Sequence, residues 1–193
     1  MSLHGTGLRS GDGDADARQH VPAQDGDHAR QSAWRLLGDI MDPEVPVISI
    51  VELGIVRDVR DDGAQVEVTI TPTYSGCPAM DAIAEAIGAA FAREGRVARV
   101  RTTLSPAWTT DWMAPEAKAR LAAYGIAPPG ASAAPARIDV TGISPQRRAR
   151  VPVACPRCGS GTTTLLAQFG STACKALYRC DECREPFDYF KPH

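Results

Sequence analysis

Two thiol knuckles near the C-terminal end constrain this chain most: Cys155-Pro-Arg-Cys158 and Cys180-Asp-Glu-Cys183, with twenty-one residues between them. Each knuckle can turn two thiolates toward one tetrahedral ion, and two of them at this separation predict a zinc ribbon. Thr162 to Phe169 and Lys175 to Arg179 then read as the hairpin that brings the knuckles together, with Gly159 and Gly161 relieving the turn. A module of about forty residues has too little core to fold by itself, so bound metal must supply much of its stability. Zinc leads over an iron–sulfur cluster or a rubredoxin-like iron for a four-cysteine set.

A fifth thiol, Cys174, lies six residues before Cys180. It can be an accessory ligand, a redox partner or a packed side chain. Packing is the default, while the adjacent Lys175 favours the thiolate. Charges on the ribbon nearly balance, Arg157, Lys175, Arg179, Arg184 and Lys191 against Asp181, Glu182, Glu185 and Asp188. That suits a docking or structural ribbon better than a DNA reader.

The whole chain, 193 residues with a formal net charge of −2, suits one ordinary domain plus this small module and disfavours nucleic acid as the partner. No stretch approaches the ~20 apolar residues of a membrane span, and the first residues lack an apolar signal-peptide core. Six cysteines without an export signal point to metal or thiol chemistry and to a cytoplasmic location.

Residues 1–28, rich in Gly, Asp and Ala, read as a disordered tail. From there to residue 125 the pattern is that of an α+β domain, a small mixed or antiparallel sheet packed with helices, followed by a separate C-terminal zinc ribbon at 152–193. Ala33, Trp34, Leu36, Leu37 and Ile40 recur at helical spacing and stop before Pro43. Two alternating β-branched runs, 55–60 and 65–71, flank Asp61-Asp62-Gly63, a hairpin signal. A helical face of Met80, Ile83, Ala84, Ile87, Ala90 and Phe91 follows, ending near Gly95, and a third strand runs to Leu104. A further helix is expected from about Ala114 to Tyr124. Residues 126–151, rich in Pro, Ala and Gly, read as a linker with modest strand content around Ile138 to Val140.

Within the domain, Thr71-Pro-Thr-Tyr-Ser-Gly-Cys77-Pro78 joins the second strand to the long helix. Pro78 fits a first helical position, which leaves Cys77 among unpaired N–H groups at the positive end of the helix dipole. That placement favours thiolate and a reactive or metal-handling role. A small buried cap is the plain alternative. Asp42-Pro43-Glu44-Val45-Pro46 must be a stiff, non-helical turn, whose carboxylates can bind metal, accept protons or cap the next segment. Capping is the better reading of the bare pattern.

Asp42 to Pro46, Ile50-Val-Glu-Leu-Gly-Ile-Val56, Thr71 to Pro78 and Ser105-Pro-Ala-Trp108 together resemble the iron–sulfur cluster assembly domain of maturation factors, over about Trp34 to Gly125. With the ribbon, Phe169 to Cys180 and Pro186 to Lys191 added, the chain resembles the PaaD/PaaJ-type family associated with the multicomponent phenylacetyl-CoA oxygenase. The resemblance implies an accessory subunit without catalysis of its own in phenylacetate degradation. Its implied role is to assist metal or iron–sulfur centre assembly in oxygenase subunits, alone or with iron–sulfur assembly proteins; a homodimer is compatible with that role. It raises the weight on Asp42, Glu44, Thr71 and Cys77, with iron or a cluster held transiently at Cys77 and Zn2+ at Cys155, Cys158, Cys180 and Cys183. A structural bridging subunit, or an electron-transfer protein with iron at the four-cysteine site, is the competing reading.

Overall fold

A computed structural model describes residues 24–63, 65–130 and 152–193. Helix α1 (Gln24–Gly38) leads into the Asp42 turn, and strands β1 (Val56–Asp61) and β2 (Gln65–Ile70) form the expected hairpin. Helix α2 (Ala79–Arg93) crosses over to β3 (Val97–Thr102), which pairs parallel to β2. The first sheet is therefore mixed, in the order β1-β2-β3. A parallel neighbour requires a crossover of this kind, because a hairpin can only return a strand antiparallel.

The sheet buries one face. Val66, Val68 and Ile70 alternate along β2 and are fully buried, as strand periodicity demands. Against them lie Ala33 and Leu37 of α1 and Ile83, Ile87 and Phe91 of α2. Each large side chain so buried contributes about 1.5–3 kcal/mol relative to exposure. Both helices lie on this face, α1 near β1 and α2 near β3.

Helix α1 begins at Gln24, inside the segment expected to be a tail. Its first residues carry no large apolar side chain, so periodicity could not reveal them; residues 1–23 lie outside the described ones. The loop after β3 folds back: Trp108 is 5% exposed and its indole N–H donates to the Leu53 carbonyl at 3.1 Å. A 3-10 turn (Thr110–Trp112) follows, and then α3 (Pro115–Tyr124), which stops at Gly125 with φ 99°.

The expected linker starts with structure. Residues Ile126–Ala127 form strand β4, paired in parallel with Asp188–Tyr189 of the ribbon. A two-residue strand next to Pro128-Pro129 leaves no periodic trace in sequence, which is why composition alone assigned it to a linker. The strand content expected at 138–140 falls on 131–151, outside the described residues.

The ribbon has β5 (Thr163–Ala167), β6 (Lys175–Cys180) and β7 (Pro186–Phe190), giving a second sheet in the order β4-β7-β6-β5. Strand β7 is the aromatic C-terminal stretch, and its Phe190 joins the main core with Cys174, against Trp108 at 6.1 Å between ring centroids. A second, smaller cluster of Ala127, Val153, Cys155, Cys180 and Phe187 packs around the knuckles.

Candidate functional site

The four knuckle thiols converge. Cys155, Cys158, Cys180 and Cys183 place all their sulfurs within 4.8 Å of one another. The Cys155–Cys183 and Cys158–Cys180 separations are 3.8 and 3.5 Å. A tetrahedron with metal–sulfur bonds of about 2.3 Å has edges of about 3.8 Å, so the set fits one tetrahedral ion. Both knuckles close the same way, with a left-handed residue after the second cysteine: Gly159 at φ 78° and Arg184 at φ 66°. That bend turns main-chain N–H groups toward sulfur. Donation from Cys183, opposed by burial and helped by Glu182, pulls the Cys180 thiol down to about 7. The same sulfur contacts push Cys158 up to about 12 and raise Cys183, so a metal must displace protons shared across the set.

The second arrangement is built around the Asp42 turn. Asp42 is buried, and its Oδ1 accepts from the N–H groups of Glu44 at 2.9 Å and Val45 at 2.8 Å. It therefore caps the turn, which its own N–H closes on the Ile48 carbonyl at 2.9 Å. Burial raises the Asp42 carboxyl above its usual range; the two N–H donors counter this in part.

Capping in this way fixes the main chain of Glu44, and the ribbon meets it there. The Cys174 sulfur lies 3.7 Å from Glu44 Oε2, and Lys175 Nζ donates to the Glu44 carbonyl at 3.4 Å. Lys175 is itself buried and pairs with Asp188 at 3.7 Å. Thr172 Oγ1 sits 3.0 Å from the Cys174 sulfur.

Cys77 is half-buried just before α2, with Pro78 capping the helix and Ala79 as its first residue. The thiolate expected from the helix N-terminus is not what the surroundings favour. Burial pushes the Cys77 thiol up, and the Glu44 and Asp42 carboxylates add to it, against donation from the Ala79 N–H and the Tyr74 hydroxyl. Helix-dipole stabilisation falls short because burial disfavours the charged thiolate most, and the two carboxylates repel it as well. Cys174 is packed in the core, the default reading of its sequence position; burial pushes its thiol up to about 11 and Glu44 raises it further, while Thr172 and, as expected, Lys175 pull the other way without prevailing.

Tyr74 ties the group together. Burial, then the Cys77, Glu44 and Cys174 side chains, push its phenol up to about 12. Sequence reasoning passed over Tyr74, although it stands three residues before Cys77 in the same turn. Thr71 is 1% exposed and its hydroxyl has no hydrogen-bond partner among the described residues. It lines a cavity of about 350 Å³ with Thr73, Tyr74, Trp108 and His193. On the ribbon side a groove of about 600 Å³ runs along Glu44, Tyr124, Phe169, Lys175 and Phe187.

The fold therefore brings Asp42, Glu44, Cys77 and Cys174 into one neighbourhood, and keeps the four knuckle thiols in another. Among the described residues only the knuckle set has three or more ligand atoms all within 4.8 Å. No helix among them is long and apolar enough to cross a membrane.

Two families match in tandem: residues 30–101 match the iron–sulfur cluster assembly protein family, and residues 141–191 match the PaaD zinc beta ribbon domain. A protein of Escherichia coli (strain K12) whose name makes it one of the subunits of 1,2-phenylacetyl-CoA epoxidase is 51% identical over 159 residues, covering 82% of this chain and 90% of that protein. An Fe-S protein maturation auxiliary factor of Porphyromonas gingivalis is 37% identical over 91 residues, covering 45% of this chain and 85% of its own length. The factor YitW of Bacillus subtilis (strain 168), of the same description, is 36% identical over 95 residues, covering 48% of this chain and 92% of itself. The shorter relatives thus match a stretch about the size of the α+β domain, and the longer one spans most of both units. The chain belongs to the PaaD family, in which an iron–sulfur cluster assembly domain carries a C-terminal zinc ribbon.

Proposed function

We propose that this protein is a non-catalytic accessory subunit of a multicomponent phenylacetyl-CoA oxygenase, assisting assembly of iron or iron–sulfur centres in its partner subunits. One observation carries the reading: the chain separates a closed four-thiol set from a half-buried thiol that faces an acidic turn. The first suits a resident structural ion, and we assign zinc to Cys155, Cys158, Cys180 and Cys183. The second suits cargo that must leave again. Cys77 would take iron or a cluster as its thiol proton departs, and Glu44 would offer a carboxylate nearby, held in place by the Asp42 cap. The names of the relatives support both halves, one an epoxidase subunit and two maturation factors.

Co-expression of oxygenase subunits with the wild-type chain or Cys77→Ser tests the reading. The variant should leave the partners poor in iron and low in activity, while its own zinc stays at about one per chain. Equal iron and activity would overturn it.

A purely structural bridge is the second reading, favoured by the exposed aromatics Tyr124 and Phe169 beside the 600 Å³ groove. It predicts co-purification at a fixed ratio and indifference to Cys77.

A further inference from the structure

We propose that Cys77 and Cys174 hold the cargo ion jointly with Glu44, so that the ribbon supplies one ligand of the neighbouring domain's site. This rests on the maturation reading above and names its ligand set; the ion is a borderline-soft divalent cation of the Fe2+ class. Glu44 and Cys174 stand 130 residues apart in sequence, yet their side chains meet at 3.7 Å. Cys174 is 3% exposed, and its carbonyl accepts from the Lys191 N–H at 3.0 Å, which fixes its backbone in the ribbon. Lys175 fastens the same ribbon strand to the Glu44 main chain.

Cys77 belongs to the same neighbourhood. It faces the two carboxylates that Cys174 faces, Glu44 and Asp42, and Tyr74 neighbours both thiols. Both thiols border the main apolar core, and each also meets polar groups. Here two thiols, two carboxylates and a phenol gather in a partly dry space, where the buried Lys175 ammonium offsets the acidic groups only in part and a second cation would find ligands. The Lys175 ammonium is taken up by the Glu44 carbonyl and Asp188. The unpartnered Thr71 hydroxyl, 1% exposed, lines a separate cavity that Tyr74 also borders.

Openness distinguishes this set from the knuckles. Its ligand atoms do not all lie within 4.8 Å, whereas the knuckle sulfurs do. Binding must close the set by side-chain rotation, and release reopens it, as a carrier requires. Each thiol yields one proton to solvent as it ligates, and the metal keeps its oxidation state. The groove along Glu44 and Lys175 brings a partner to the Glu44 edge of the set.

The test uses the full chain with zinc in the ribbon, titrated anaerobically with Co2+ and read by thiolate-to-cobalt charge-transfer absorption. The wild type should bind a second metal with two thiolates. Cys77→Ser and Cys174→Ser should each roughly halve the band and weaken binding by about tenfold or more, and the double variant should abolish it. Wild-type absorption confined to the ribbon site would overturn the proposal, as would full intensity and affinity in Cys174→Ser. If Cys174→Ser fails to keep its zinc, Glu44→Gln decides: Co2+ affinity equal to wild type overturns the proposal, and a loss of about tenfold supports it. Client loading separates the two readings. Loss of partner iron with Cys77→Ser but not Cys174→Ser refutes the shared site and keeps the maturation role; indifference to both refutes the role itself.

Discussion

Phe190→Ala is the sharpest probe of whether the ribbon is built into the domain. Phe190 ends β7, is 1% exposed, and enters the main core against Trp108. Truncating a buried phenylalanine costs about 3–5 kcal/mol, which includes the cavity left behind. Loss of the ring pair with Trp108 falls within that figure. For a chain of this size each kcal/mol shifts the melting temperature by about 2–4 °C, so the drop should be on the order of 10 °C. The knuckles lie in the other cluster, so bound metal should stay near one per chain. Differential scanning calorimetry with metal analysis reads both quantities. A second consequence is local: Phe190 is in register with Lys175, and the Lys191 N–H bonds the Cys174 carbonyl, so Cys174 should become more open to alkylation. An unchanged melt of the α+β domain would refute the packing argument, because a tethered ribbon could lose Phe190 without affecting its neighbour.

Gly54→Ala should destabilise by about 1–3 kcal/mol in urea denaturation, since Gly54 has φ 77° and an added Cβ would sit 2.7 Å from the Trp112 carbonyl oxygen. Asp42→Ala should cost about 1–3 kcal/mol through two orphaned N–H groups, whereas Asp42→Asn should hold or raise stability at neutral pH. The sign follows from the raised Asp42 carboxyl: its contribution is present below its ordinary 3.8 and is lost as pH rises through the folded value. Wild type should therefore gain on Asp42→Asn as the medium is acidified, and a gap independent of pH would refute the buried charge. Cys77 should alkylate slowly at neutral pH, with a midpoint above that of an ordinary cysteine because burial disfavours its thiolate, and divalent metal should protect it; fast neutral reaction would contradict its surroundings.

The ribbon was legible because metal chemistry restricts residue type and spacing at once, and the four cysteines named from spacing are the four that converge. The hairpin and α2 were equally readable, since Val66, Val68 and Ile70 and then Ile83, Ile87 and Phe91 follow the periods of their elements. What sequence could not supply was the encounter of Glu44 with Cys174, a long-range contact that no local pattern encodes. The protonation of Cys77 was misread for the same reason. Helix position can be inferred from Pro78, but burial against the Asp42 turn depends on how distant segments pack.

Strand β4 bears on how the protein can be divided. The ribbon's β7 has β6 on one side and, on the other, two residues contributed from before residue 130. A fragment started at residue 152 would leave that flank of β7 with unpaired main-chain groups and an apolar face formerly covered by Ala127. Such an open edge invites a neighbouring molecule to add a strand. The ribbon is therefore a poor cassette for transplantation, and fragments meant to avoid strand addition at β7 should carry Ile126–Ala127 with them.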